Sequence, residues 1–430
     1  MDTPTGSFSR KSQDAAAISR LHIAMFTNVF LPSTNGVVTS VRAFHQGLTQ
    51  AGHIVFTFAP HAREEYHDLL PFVFRYPSWE LPLQSYPLTL PVSPFVDALL
   101  PCLKLDVIHT NHPALLGNVA ANKSRSLDVP LVFTYHTLYR EYSHYVRHLP
   151  PNLVKEFLEH WLLHFMRKCH HIVVPSDSIR LVLEESYGIG KRVSVVATGI
   201  DATRFGRLTR LEARIKLGLD PRETLVLSVG RLAREKNWDI VLEAFQTAVR
   251  DAEDVRLLVV GGGEERPNLE QVCRERNIAE KVSFIGMVDN SRMADYYAAA
   301  DLFCFASVTE TQGLVTLEAM ASGLPIAAVD ANGTRDVLTD GREGLMVACE
   351  AAALSRALRG LLQDPEKRHQ MGHAGRVRAK DFDLRHQALL MEDVYHTAIE
   401  DYRGGYRVPV ETEASPSRWG EFLSYFRTKD

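Results

Sequence analysis

The segment Thr309-Glu-Thr-Gln-Gly-Leu-Val-Thr-Leu-Glu318-Ala-Met320 sets two carboxylates, Glu310 and Glu318, eight positions apart around a glycine. Upstream, Ala300-Asp-Leu-Phe-Cys-Phe-Ala306 reads as a buried strand, and downstream Leu314, Val315, Leu317 and Met320 fit a helix laid over it. Gly313 then stands at the helix start, where free amides and the positive end of the dipole attract a diphosphate. Its missing side chain lets a phosphate approach closely. With the carboxylates accepting hydrogen bonds from sugar hydroxyls, the segment has the make-up of a sugar-nucleotide site. An isolated pair would read equally as a first-turn acid and a surface glutamate, so the weight rests on other segments.

Gly230-Arg-Leu-Ala-Arg-Glu-Lys-Asn237 follows a buried strand and precedes a helix, which puts Arg231 and Lys236 where open sheets deliver ligands. Two cations suit a diphosphate and would offset the charge that grows on a leaving group as a glycosidic bond breaks. A solvated basic loop is the alternative. Gly261-Gly-Gly263 carries little weight, because ordinary tight turns also use glycine runs. In the first half, Tyr135-His-Thr137 ends a strand, so His136 either meets a sugar hydroxyl or phosphate in a cleft or ties loops together as a buried histidine.

These groups need a frame. A chain of 430 residues suggests two domains of about 200 residues each. Short apolar runs alternate with helical or turn-rich sequence from Leu21 to Val174, pause around 197–206, and restart at Thr224, which predicts mostly parallel sheets. The expected division is a disordered segment 1–20, a first domain 21–198, a second domain 199–385, a closing helix 386–404 and a tail 405–430. The tail is polar except for Trp419, Phe422, Leu423 and Phe426. A helix from about Thr39 to Gln50 follows Asn35-Gly-Val37. Residues 71–101 hold seven of the 21 prolines, with Phe72, Phe74, Tyr76, Trp79, Tyr86 and Phe95, and read as a long surface loop. Asn152 to Cys169 is strongly amphipathic, with Trp161 on the apolar face and Lys155, Arg167 and Lys168 on the other. It fits either a helix packed on the sheet or one resting on an anionic lipid surface. Tyr139, Tyr142, His144, Tyr145 and Arg147 would form an acceptor-facing rim.

Net charge near −4, with 23% charged and 45% hydrophobic residues, describes a globular protein without the basic bias of a nucleic-acid binder. The five scattered cysteines contain no Cys-x-x-Cys pair, which argues against a disulfide framework or zinc site and fits a reducing cytosol. No window approaches the roughly 18 apolar residues of a membrane span, so any membrane contact would be peripheral.

Taken in order, Asn35-Gly-Val37, Tyr135-His-Thr137, Gly230 to Lys236 and Glu310 to Met320 resemble the retaining glycosyltransferases of family 4. The resemblance covers residues 21 to about 400. It implies an α/β GT-B architecture: two Rossmann-like domains facing a cleft, acceptor on the first, nucleotide sugar on the second, and a C-terminal helix crossing back. It further implies that Gly36 admits the donor phosphate, that Arg231 and Lys236 bind the diphosphate, and that His136 sits beside the transferred sugar. Glu310 would contact that sugar, Glu318 the ribose hydroxyls, and the amides of Gly313, Leu314 and Val315 the phosphate and sugar oxygens. Neither a protein nucleophile, a metal nor a cofactor is implied, the cations standing in for a metal's charge.

Two departures from the family pattern are Asn35 in place of glycine, where asparagine tolerates positive φ, and Thr311-Gln312 in place of Ser-Phe. The latter, with Tyr135-His-Thr-Leu-Tyr-Arg-Glu-Tyr-Ser-His-Tyr145, is most similar to the diacylglycerol glucosyltransferase branch. That implies UDP-glucose as donor, diacylglycerol as acceptor, and work at the cytoplasmic face of an anionic membrane, with residues 71–101 near a lipid entrance. The alternatives are another acceptor such as phosphatidylinositol or a soluble sugar, GDP-mannose as donor, an epimerase, and a non-catalytic nucleotide-sugar sensor.

Overall fold

The structure, a computed structural model, describes residues 20–62, 66–79, 88–139 and 151–407. The segment 1–19, the tail from 408 onward with its four large apolar residues, Tyr86, and the rim residues Tyr142, His144, Tyr145 and Arg147 lie outside these.

Strands β1 (His22–Phe26), β2 (Ile54–Pro60), β3 (Val73–Tyr76), β6 (Val107–Thr110), β7 (Leu131–Thr134), β8 (His171–Val174) and β9 (Val193–Val195) form one sheet in the order β3-β2-β1-β6-β7-β8-β9. Between them, β4 (Ser78–Trp79) and β5 (Leu88–Thr89) make a small antiparallel pair. A second sheet has the order β12-β11-β10-β13-β14-β15, from β10 (Thr224–Val229), β11 (Val255–Val260), β12 (Val282–Gly286), β13 (Leu302–Phe305), β14 (Ile326–Val329) and β15 (Gly344–Val347). Every neighbouring pair in both large sheets is parallel, for example Ile23↔Val55 and Val226↔Leu302. Helical crossovers cover both faces of such sheets, which is why the strands read as continuous apolar runs. Alternate residues feed opposite layers: Ala24 and Phe26 pack with Phe133 and Phe165, whereas Ile23 and Met25 pack with Val41 and Tyr395.

The chain crosses between the sheets twice. Val196 packs in the first sheet's core and Ala197 in the second's. The return crossing runs beside the first, Ile200 bridging to Asp383 with Ile200 N–H donating to Phe382 O (2.9 Å) and Leu384 N–H to Ile200 O (3.0 Å). The closing helix spans Leu384–Arg403 and buries Ala388, Met391, Tyr395 and Ile399 in the first domain's core. It lies so close to the Gly36–Gln50 helix that a Cβ on Gly47 would meet Ala388 Cβ at 2.7 Å.

Two expectations change, and one open alternative is resolved. Residues 71–101 are not one surface loop: Val73–Tyr76 pairs with β2 as an edge strand, Tyr76 is 1% exposed, and Pro94–Leu99 is a helix capped by Ser93. Pro77 follows the edge strand and Pro94 opens the helix, where neither breaks a ladder bond. The amphipathic helix runs Pro151–Met166, and its apolar face belongs to the core: Val154, Leu162, Phe165 and Met166 are buried, and Trp161 sits edge-on to Tyr139 at 6.0 Å. That face is therefore closed to lipid. Asn35 does not use positive φ; at φ −160° it is the extended N-cap of the Gly36–Gln50 helix, its Oδ1 accepting from Val38 N–H (2.9 Å).

Candidate active site

The carboxyl ends of both sheets face a cleft of about 1640 Å³ between the domains. It brings together the residues the sequence assigned to the donor: Gly36 and His136 from the first domain, and Arg231, Lys236, Glu310, Gly313, Leu314, Val315 and Glu318 from the second; Tyr139 of the expected rim is not among its lining. Gly36, the first residue of its helix, approaches Leu314, the first residue of the Leu314–Ser322 helix; a Cβ there would stand 3.8 Å from Leu314 Cδ1. Two helix N-termini thus converge on one space, each offering free amides. Gly313 takes φ +74° to cap the second helix, a conformation that favours glycine.

Lys236 stands on a short 3-10 turn after β10 and donates from Nζ to Glu310 Oε1 (2.5 Å) and Ser307 Oγ (3.3 Å). The pair is largely enclosed, with side chains 13% and 21% exposed. Burial pushes the Glu310 carboxyl up, but the Lys236 charge and hydrogen bond, with Ser307 and Arg231, outweigh it and hold the pKa below the ordinary value. Arg231 pairs with Glu235. Both cations assigned to a diphosphate therefore hold a carboxylate, Arg231 that of Glu235 and Lys236 that of Glu310. Glu318 behaves oppositely. Burial raises its carboxyl above the ordinary value, against the opposing pull of the Tyr297 hydroxyl, which donates to Oε2 at 2.8 Å, and of Arg204.

His136 Nε2 lies 2.8 Å from Asn111 Oδ1, and Asn111 Nδ2 donates to Phe26 O (3.3 Å). Asn111 is thus the acceptor, His136 Nε2 carries the proton, and Nδ1 is left with a lone pair. Burial, then the nearby His112 and His109, depress the His136 pKa well below its usual value, so the ring is neutral at neutral pH. His112 is likewise neutral, pushed down to about 4 by burial, its Nδ1 accepting from Asn28 N–H (3.1 Å). The loop-tying reading describes what is seen, the half-buried His136 side chain bonding Asn111 and its carbonyl accepting from Thr311 Oγ1 (3.0 Å), while the ring also lines the cleft.

Sequence reasoning gave no weight to, or missed, several residues in and behind the cleft. Gly261 and Gly263 line it, and a Cβ on either would strike Gly230 O at 1.9 Å or Leu232 O at 2.2 Å, so the glycine run seats one loop against the loop carrying Arg231. Gly333, at φ +76°, backs Glu310, whose Cβ would lie 2.8 Å from an added Cβ. Its signal was visible as Asn332-Gly333 after a strand. Arg42, Tyr66, Arg204 and Asp289 gather at one end of the cleft from separate segments, a grouping no local pattern announces. Among the described residues, no group of three or more His, Cys, Asp or Glu side chains could hold a metal ion.

Two facing parallel-sheet domains, with a charged cleft at the strand ends, are the architecture of a GT-B glycosyltransferase. Solved structures agree: sucrose-phosphate synthase from Thermosynechococcus elongatus superposes with a TM-score of 0.71 at 25% identity over 87% of this chain and 98% of that one. Anabaena Alr3699/HepE, solved with UDP and glucose, shares the fold with a TM-score of 0.71 at 17% identity over 88% of this chain and 100% of that one. Residues 34–204 match the sequence profile described as Glycosyltransferase Family 4, and residues 209–378 that described as Glycosyl transferases group 1. The alpha-monoglucosyldiacylglycerol synthase of Streptococcus pneumoniae is 30% identical over 80% of this chain and 79% of its own length, and that of Acholeplasma laidlawii 28% identical over 88% and 98%. A D-inositol 3-phosphate glycosyltransferase of Nocardia farcinica is 32% identical over 76% and 73%. The chain belongs to glycosyltransferase family 4.

Proposed function

We propose that this protein transfers glucose from UDP-glucose to the free hydroxyl of diacylglycerol, with retention of the α configuration, at the cytoplasmic face of a membrane. The observation that carries the reading is the Lys236–Glu310 pair set at the N-terminus of the Leu314–Ser322 helix. In that arrangement a diphosphate meets Arg231, Lys236 and the amides of Gly313 to Val315, Gly36 leaves it room, Glu310 accepts from the sugar, and Glu318 accepts from the ribose. The names of two relatives, alpha-monoglucosyldiacylglycerol synthases, support glucose as the sugar and diacylglycerol as the acceptor.

In the transfer, the bond from the anomeric carbon to the diphosphate oxygen breaks and the acceptor oxygen bonds to that carbon on the same face. The acceptor proton passes to the departing phosphate oxygen. Arg231, Lys236 and the helix amides stabilise the charge on UDP as it leaves. His136, neutral with a free lone pair on Nδ1, accepts a hydrogen bond from a sugar hydroxyl and orients the ring. Neither a cofactor nor a metal enters this scheme, the UDP-sugar being a substrate.

Support for a lipid acceptor comes from large exposed apolar side chains in one stretch of the first domain. Leu69, Phe72, Trp79, Val92 and Phe95 are exposed by 90, 53, 64, 62 and 68%, and Leu69 also lines the cleft. Exposed apolar side chains gathered in one segment mark a membrane or partner surface. No helix among the described residues is long and apolar enough to span a bilayer, so contact through this surface would be peripheral. A second reading, an acceptor bearing phosphate, is favoured by Arg42, whose half-buried guanidinium lines the cleft near Arg204.

The test is to incubate the protein with radiolabelled UDP-glucose and diacylglycerol in mixed micelles containing anionic lipid, then count label extracted into organic solvent. Label in a glucosyl diacylglycerol supports the reading. Label appearing only with phosphatidylinositol, or only in water-soluble product, transfers the assignment to the other acceptors, and label lost from UDP-glucose without acceptor points to an epimerase or hydrolase.

A further inference from the structure

One residue of the first domain, Asn28, ties down the loop between Thr110 and the Leu116–Ser126 helix at three points. Its backbone N–H donates to His112 Nδ1 (3.1 Å), its Nδ2 donates to Ala114 O (2.9 Å), and its Oδ1 accepts from Leu116 N–H (3.0 Å). Thr110 Oγ1 donates to His112 O (2.9 Å), and Gly117 packs so closely that a Cβ there would stand 1.9 Å from the same oxygen. Between the two side-chain bonds of Asn28, Leu115 is held at φ +48° and ψ −107°, a conformation a leucine keeps only where its surroundings impose it. Asn28, His112 and Leu115 all line the cleft. A strained turn fixed from both sides in a cleft wall points to what that turn presents.

What it presents is a hydrogen-bond donor. A backbone amide only donates, so His112 Nδ1 is an acceptor and the neutral ring carries its proton on Nε2. Among the described residues Nε2 meets no partner, so the half-buried ring offers that N–H to the cleft it lines. His136 is the converse case: Asn111 takes its Nε2 proton and leaves Nδ1 as an acceptor. Two nearby imidazoles thus line the cleft in opposite roles, each fixed by an asparagine.

The scheme above leaves the His112 N–H unused. The cations and carboxylates given to the donor, from Arg231 to Glu318, stand in the second domain, whereas His112 belongs to the first-domain wall with Val29, Leu115 and Leu138. A single neutral N–H beside apolar side chains suits an uncharged oxygen, since a phosphate is held best by charged or bidentate partners. The attacking hydroxyl is a poor match, because a donor there would occupy the lone pair that forms the new bond. An ester carbonyl beside that hydroxyl has a lone pair to spare.

We propose that His112 is an acceptor-binding residue whose Nε2–H donates to an ester carbonyl of the glycerolipid. The inference rests on the diacylglycerol reading above and deepens it: the protein distinguishes an ester-linked from an ether-linked lipid, because a site built around a hydrogen bond rejects the analogue that cannot make it.

The test measures kcat and KM for dioctanoylglycerol and for its diether counterpart, dioctylglycerol, in mixed micelles with UDP-glucose, alongside UDP affinity by calorimetry. In His112→Asn the shorter side chain places Oδ1 where Nδ1 stood, keeping an acceptor for Asn28 N–H while withdrawing the donor from the cleft. The wild type is expected to show a KM roughly 3- to 10-fold lower for the ester, the range of one neutral hydrogen bond. His112→Asn should raise the ester KM by that factor and leave the ether KM, kcat and UDP affinity unchanged; His112→Gln, with an amide donor at its far end, should recover part of the preference. An ester preference undiminished in a folded His112→Asn, an equal loss on both lipids, or a loss of UDP affinity overturns the proposal. Should that variant not fold, a wild type with equal KM for the two lipids overturns it instead. No transfer to either lipid would refute the diacylglycerol reading itself and this inference with it, whereas transfer to both without a difference refutes the inference alone.

Discussion

Lys236 and Glu310 lie 74 positions apart yet meet as the best-formed ion pair in the cleft. Glu310 is enclosed, so its charge is tolerated because Lys236 stands beside it. On the proposed function Lys236→Ala removes a cation from the leaving diphosphate, and kcat should fall roughly 10²- to 10³-fold, measured with UDP-glucose and diacylglycerol. Near-native turnover in a folded variant would remove Lys236 from the chemistry. Glu318 yields a prediction of different form. Its folded pKa is raised, so the native state holds its proton to higher pH than the unfolded chain, and stability falls as pH rises through the window that starts at the unfolded carboxyl value. Glu318→Gln should therefore melt at or above the wild-type temperature at pH 7, lose that advantage below the carboxyl range, and bind UDP more weakly. A variant less stable at pH 7 with unaltered UDP affinity would contradict both statements.

At this scale the sequence was most readable where chemistry and turn coincide. Glu310, Gly313 and Glu318 share one strand-turn-helix unit, so spacing alone predicted their grouping. Gln312 lay in full view between them but showed nothing, because its partner is the backbone of Thr198, 114 positions away, and backbone groups carry no sequence signature. Arg42 and Arg204 stayed hidden for the same reason: only the domain arrangement brings them near one another.

Among the elements, parallel strands were legible as apolar runs, since burial on both faces removes any polar alternation. The segment 71–101 was not, because its edge strand is four residues long and its prolines mask the pairing. The Pro151–Met166 helix shows a further limit of pattern reading: an apolar stripe says that a face is covered, without saying by what. Here Trp161 packs beside Tyr139 against the first domain's core. Trp161→Ala should cost roughly 2 kcal/mol or more of unfolding free energy and leave binding to anionic vesicles unchanged. Phe95→Ser, at an exposed position, should do the reverse, lowering vesicle binding with stability shifted by less than ~1 kcal/mol. Sedimentation with vesicles and urea melts of both variants check this, and equal vesicle binding by Phe95→Ser and the wild type would exclude that surface.

The whole molecule keeps an uneven distribution of buried imidazoles. His45, His112, His170 and His171 are pushed down to about 4 and His109 to about 3, chiefly by burial, and all belong to the first domain. Each has a folded pKa below its unfolded value near 6.5, so its contribution is complete above that pH and is lost as pH falls toward the folded values. Every such group adds up to ~1.4 kcal/mol per pH unit of slope. The first domain should therefore lose stability steeply between pH 6.5 and 4 while the second, whose His369 and His373 are exposed, holds longer. Urea melts followed by hydrogen exchange at pH 7 and pH 5 check it, and equal protection of the first domain at both values would contradict it.

On the proposed function the cleft joins a sugar from UDP-glucose to a lipid on the face the nucleotide leaves. The most direct measurement is the proton NMR spectrum of the lipid-phase product made by the purified protein from UDP-glucose and diacylglycerol. An α-linked glucosyl diacylglycerol is the predicted result; a β-linked product, or no lipid-phase sugar from a protein that binds UDP-glucose, would contradict it.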